Sequence, residues 1–352
     1  MPPVIKEKAA LATLYLFASA AGWLFAVIGM PLPWMMGPLI FTAIAYIFGP
    51  FNVEVPIHTR PVGQAIIAAQ VGLAFTPTAV AALLALAPLM IGMALVTALC
   101  ACIIGVLLAR LADMPLPQAF LITFPTSPVE AAVLAERFHS DPAPIILAQT
   151  TRIAAIVVLV PIAIYSVDGW PDRSTIAAGG SFDVLGNGFL ALLAVSGALL
   201  FRKLGLSNPF FLGPLFLSSL AAAVGLHPVA FPPPILAMAQ IVLGTWLGST
   251  FHRDLFLKGG SAVIATLTST LALLVAVSAL AVLIAIGAGQ DPIALVLGAA
   301  PGGVTEMALT AKFVGADLAL VTAFQLTRIF ILIPNLPWFI GIVERLDQRR
   351  RS

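Results

Sequence analysis

Two arginines stand inside apolar sequence, and each follows a glutamine by three positions: Gln149 with Arg152, and Gln325 with Arg328. On a helix that spacing puts both polar side chains on one face. Each arginine falls near the middle of an apolar run, where a bilayer would place it close to the midplane. A charge there costs at least ~2.5–3.5 kcal/mol by insertion scales, so it needs a partner or an aqueous cavity. Two readings stand. The guanidinium groups bind an anionic solute, or act as fixed cations during coupled transport; alternatively, each neutralises a glutamate upstream, Glu130 or Glu306.

Those glutamates sit in two further motifs. Ser127-Pro128-Val129-Glu130 has an N-cap serine, proline at the first helical position and glutamate at the capping-box position. Gly303-Val304-Thr305-Glu306 has glycine at the cap. Glu130 and Glu306 are therefore helix caps, or else markers of helix starts whose free N–H groups and positive dipole end face a ligand. Gly302 and Gly303 would let a ligand approach the backbone closely, whereas Thr126 and Ser127 offer hydroxyls. The difference favours the second tip for recognition. The substrate-binding candidates are thus Gly302, Gly303, Thr305, Glu306, Gln325 and Arg328, with Thr126, Ser127, Glu130, Gln149 and Arg152 from the first half. Asp141 and Asp317 precede the arginine helices and read as N-caps. Gln64 and Gln240 line a pathway or bond between helices.

Elements that hold such residues must be membrane helices. Hydrophobic residues make up 61% of the 352 and charged residues 9%, with mean hydropathy +1.08. A soluble domain carries roughly 25% charged residues. The apolar stretches are continuous, which excludes a β-barrel. Cys100 and Cys102 point to different helix faces and read as packing residues. His58, His139, His227 and His252 are scattered, so no metal centre, no cofactor and no oxygenase chemistry is expected. The chain reads as a non-enzyme.

The landmarks recur. Pro33, Gly37 and Pro38 return as Pro209, Gly213 and Pro214, and the same shift of 176 pairs Gln64 with Gln240, Gly72 with Gly248, Pro125 with Pro301, Glu130 with Glu306 and Arg152 with Arg328. Residues 1–176 and 177–352 are therefore two copies. Helices are expected near 9–29, 33–49, 60–75, 79–111 and 143–165, and again near 185–201, 209–225, 236–251, 260–287 and 317–341. A broken element lies near 115–139 and near 292–314. Several runs fall short of the ~20 residues a straight span needs. The N-terminal run, despite Lys6, Lys8 and Ala18-Ser19-Ala20, reads as a retained helix and not a signal peptide.

If both broken elements dip in and return, the halves are inverted and thirteen basic residues fall on the side of the N-terminus, with Arg173 and Lys312 opposite. If both cross, the halves are parallel and the split is nine to six. The positive-inside rule selects inversion. The acidic linker over 166–184, with Asp168, Asp172 and Asp183, then faces outward. The expected fold is all-α integral membrane: two inverted repeats, each of about five transmembrane helices plus a re-entrant or broken helix hairpin. Both termini are expected on the cytoplasmic side of a bacterial inner membrane. The tail from Arg345 to Arg351 would touch anionic lipid. Expected partners are a small-molecule or ion substrate, the lipid bilayer and a second copy in a homodimer, with no direct contact to nucleic acid.

Pro33-Trp34-Met35-Met36-Gly37-Pro38, the Gln64…Gly72…Phe75 stretch and Pro301-Gly302-Gly303-Val304-Thr305-Glu306-Met307, followed by Gly315-Ala316-Asp317 and Gln325-Leu326-Thr327-Arg328, resemble the bacterial AbrB membrane-protein family. These "AbrB duplication" proteins were once labelled ammonia monooxygenases. The resemblance covers essentially the whole chain. It implies regulation of gene expression by the family name. At the level of fold it is similar to the inverted-repeat superfamily of cation antiporters and anion transporters, which implies a secondary transporter. The first copy departs from the pattern, with Thr126-Ser127 where the second has Gly302-Gly303.

Overall fold

The computed structural model describes residues 3–49, 53–138, 140–169, 182–206, 208–251 and 260–351. Asp172, Arg173, Arg253 and Lys258, which entered the orientation argument, lie outside the described residues, as do His139 and His252. Among the described residues there are fifteen α-helices and no strand. The first half supplies α1 (Pro3–Ile28), α2 (Pro33–Phe48), α3 (Thr59–Gly72), α4 (Pro77–Ala85), α5 (Ala87–Leu111), α6 (Leu116–Thr123), α7 (Pro128–Arg137) and α8 (Pro142–Asp168). The second supplies α9 (Val184–Lys203), α10 (Pro209–Ala223), α11 (Pro233–Ser249), α12 (Gly260–Ala288), α13 (Pro292–Ala299), α14 (Val304–Val314) and α15 (Leu318–Arg351).

Among the described residues six helices are long and apolar enough to cross a bilayer: Lys8–Ile28, Ala87–Leu111, Pro142–Val167, Val184–Lys203, Ile264–Ala288 and Leu318–Gln348. The chain is a multi-pass membrane protein. α2 and α10 are apolar but, at 16 and 15 residues, shorter. One element departs from expectation. The apolar run over 79–111 is two helices, because α4 stops at Ala85 and α5 restarts with Pro88 in its first turn, where a missing N–H costs nothing. α3 and α4 also meet at 87°.

The breaks have a local cause. α6 and α13 both end two residues before a proline, Pro125 or Pro301. A residue preceding proline is pushed out of the helical region. Phe124 and Ala300 accordingly both adopt ψ 131°. Downstream, Ser127 restarts the chain as the N-cap of α7.

The chain folds into two compact units that cut across the copies: Met1–Leu84, Pro161–Arg253 and Ala308–Ala319 form one, and Ala85–Val160, Asp254–Met307 and Leu320–Ser352 the other. In the first unit α2 packs on α1 and α11, α10 packs on α9 and α3, and α3 packs on α11. Exchanging the copies leaves that pattern unchanged. Glycine makes the closest of these crossings possible: a Cβ at Gly37 would lie 2.6 Å from the Ala21 carbonyl oxygen, and one at Gly213 would strike the Gly197 carbonyl. In the second unit α5 and α12 pack together, with α6 against both and α13 against both. This unit carries both breaks.

Candidate functional site

A helix that stops inside a protein strands its last carbonyls, since no following turn supplies N–H groups. At the end of α6 the Phe124 N–H reaches back to the Phe120 carbonyl and the Thr126 N–H to the Phe124 carbonyl at 2.9 Å, while those of Leu121, Ile122 and Thr123 are left without a backbone donor among the described residues. α8 delivers the missing donors. Gln149 Nε2 donates to Leu121 O at 2.5 Å and Phe124 O at 3.1 Å. Arg152 Nη1 donates to Phe124 O at 2.9 Å, with longer contacts to Ile122 O at 3.4 Å and Thr123 O at 3.5 Å. Its Nη2 donates to Thr126 O at 3.1 Å and to Gln149 Oε1.

The second break repeats this almost atom for atom. Gln325 Nε2 donates to Leu297 O at 2.7 Å and Ala300 O at 3.1 Å. Arg328 Nη1 donates to Ala300 O at 2.5 Å and Ala299 O at 3.3 Å, and Nη2 to Gly302 O at 3.1 Å and Gln325 Oε1 at 2.6 Å. The four side chains are sealed from solvent, at 0% exposure for Gln149 and Gln325, 2% for Arg152 and 3% for Arg328. Each guanidinium sits at the C-terminal end of a short helix, where the backbone dipole is negative.

This geometry corrects one reading of the sequence. Neither arginine pairs with its hairpin glutamate; among the described residues their acceptors are carbonyl oxygens and the neighbouring glutamine. Among the described residues the buried Nε of both arginines has no hydrogen-bond partner. Glu130 turns to its own helix start instead. Its carboxylate accepts from the Thr126 hydroxyl at 3.0 Å and from Ser127 N–H at 3.4 Å, while Ser127 Oγ accepts from Glu130 N–H at 3.2 Å. The capping box is complete.

At the second tip the room expected beside the glycines is filled by the chain itself. A Cβ on Gly303 would fall onto the Glu306 carboxylate, and one on Gly302 would lie 2.9 Å from Ile156 Cγ2. Thr305 and Thr126 are both buried. Asp141 accepts from Ala143 N–H at 2.9 Å, a cap on the first turn of α8. Gln64 and Gln240, on α3 and α11, are buried but form no interhelical hydrogen bond among the described residues, and Gln240 Oε1 has no partner. Among the described residues no three His, Cys, Asp or Glu side chains are grouped to hold a metal.

Sequence reasoning missed what steadies α6 from its other sides. Thr123 Oγ1 donates to Ala101 O of α5 at 3.2 Å. The Phe339 ring of α15 lies 5.5 Å from Phe120 and 5.2 Å from Phe124. The four-residue spacing of Phe120 and Phe124 hints at a shared face; Phe339, more than two hundred residues away, leaves no local signal.

The doubled breaks and their arginines fall within the part of the chain that comparison identifies. The family model described as "Transition state regulatory protein AbrB" matches residues 34–344. A Bacillus subtilis (strain 168) protein named "Uncharacterized protein YhjN" is 25% identical over 373 residues, covering 99% of this chain and 97% of its own. An Escherichia coli (strain K12) protein named "Putative regulator AbrB" is 23% identical over 333 residues, covering 93% of this chain and 94% of its own. Matched from the start of α2 to the last turns of α15, with both breaks inside the match, the chain belongs to the AbrB family.

Proposed function

We propose that the protein is a secondary transporter of a small anionic organic solute, resident in a bacterial inner membrane with both termini cytoplasmic and its halves inverted. The observation that carries this reading is a pair of interrupted helices within one compact unit, each with a buried guanidinium that lacks a carboxylate partner among the described residues. Bare lipid does not tolerate such backbone, and transporters place it where solute binds. Two cations without a carboxylate partner among the described residues raise the local potential for an anion. The solute would lie by the tips, near Thr126, Ser127, Thr305 and Glu306, and the cycle would be elevator-like, the part bearing both breaks travelling. No enzymatic step and no cofactor enter this reading. The partners are the solute, the bilayer and a second copy in a homodimer, without direct contact to nucleic acid.

The test is uptake into proteoliposomes from a panel of radiolabelled acetate, lactate, succinate and citrate, with and without proton and sodium gradients. Uptake of at least one member above empty vesicles is expected. Its absence for every member under every gradient overturns the anion-transport reading.

The printed names favour a second reading, a membrane-embedded regulator acting indirectly on gene expression. Transcript changes in a deletion strain that persist whether the carried solute is supplied or withheld would support regulation over transport.

A further inference from the structure

We infer that Gln149–Arg152 and Gln325–Arg328 are positioning pairs: they hold each interrupted helix open by taking over the carbonyls that the break strands, and they do not grip the solute themselves. Three observations carry this. The first is donor use. Both Nη groups of each arginine are committed to backbone carbonyls and to the paired glutamine oxygen. A carboxylate is normally held by two parallel N–H groups of one guanidinium, and here only Nε is left.

The second is repetition. The acceptors Leu121, Phe124 and Thr126 of the first break correspond, 176 positions on, to Leu297, Ala300 and Gly302 of the second. The side chains differ at the last two of those positions, yet the bonds are the same, because the acceptors are main-chain oxygens. A solute-binding arginine has no reason to bond identical backbone atoms twice. The third is placement at the negative end of a helix, where a cation offsets the dipole and the orphaned carbonyls together.

The inference deepens the transport reading and rests on it only for the flux measurement. Amide hydrogen exchange on the full-length chain in nanodiscs, with no solute added, decides the matter independently. Gln325→Leu removes the donor to Leu297 and Ala300 and the acceptor that orients Arg328. Exchange over 292–303 is expected to rise at least about tenfold, with 116–127 unchanged, and Gln149→Leu is expected to give the converse. Arg328→Lys keeps the charge but loses the planar fork, and should behave as Gln325→Leu does. Wild-type exchange in all three variants overturns the inference. If Arg328→Lys fails to fold, the two glutamine variants carry the test.

Flux of the panel solute that the wild type carries best, normalised to the folded protein in the vesicles, adds a readout that loss of folded protein would not move. In Gln325→Leu the maximal rate is expected to fall at least about tenfold, while KM shifts less than about threefold. A KM raised more than about tenfold with the maximal rate retained identifies a direct ligand and overturns positioning. Should the wild type carry no panel member, the transport reading fails and the exchange result stands alone.

Discussion

At the first break, a serine hydroxyl, a glutamate and a threonine hydroxyl close the start of α7. At the second, Gly302 and Gly303 stand in the places of Thr126 and Ser127, and the Glu306 carboxylate lies against Gly303. The other ends of the breaks are alike, each with a Gln-x-x-Arg pair on the stranded carbonyls. Likeness at one end and difference at the other separate two jobs. The stranded carbonyls are met in the same way at both breaks. The restarts of the helix differ, and there the copies have diverged.

The largest expected effect would come from removing what is shared. Arg152→Ala and Arg328→Ala each leave carbonyls unsatisfied and are expected to lower stability by at least about 3 kcal/mol, within about 1 kcal/mol of one another. Unfolding in mild detergent by SDS titration measures this, and a large inequality would break the equivalence of the two ends. Gln149→Leu and Gln325→Leu should follow at about 1–3 kcal/mol in the same assay, again as a matched pair.

Changes at the diverged ends should be smaller and unequal. Gly303→Ala drives a Cβ onto the Glu306 carboxylate and should cost about 0.5–2 kcal/mol, the worth of a lost helix cap. Ser127→Gly makes the first restart resemble the second and should cost only a few tenths of a kcal/mol, since glycine is itself an acceptable N-cap. If Ser127→Gly proved the costlier of the two, the difference between the restarts would have been misjudged.

How much of this a reader could extract from residue types depended on how local each cause was. The break at Phe124 follows from Pro125, and the restart at Ser127 from its own capping pattern, so both could be placed in advance. The recurring landmarks were visible wherever a rare residue marked them, as at Pro33 and Pro209. The interruption between α4 and α5 had its cue in Pro88, which cannot continue a helix from the preceding turn, but the apolar run passes through Leu86 unchanged and masked it. The arginines' partners were hidden for another reason. Their acceptors are backbone oxygens 26–30 positions earlier, and main-chain vacancies carry no letter of their own. Counting the carbonyls orphaned by a broken helix would have pointed there.

The interleaving of the copies bears on how the molecule is made. α3 of the first copy rests on α10 and α11 of the second, and α5 rests on α12. When the ribosome has finished residue 176, neither compact unit has all its walls. At that point α3 and α5 still lack packing partners that only the later helices supply. Separately expressed halves should therefore acquire their packing only when they meet in one bilayer.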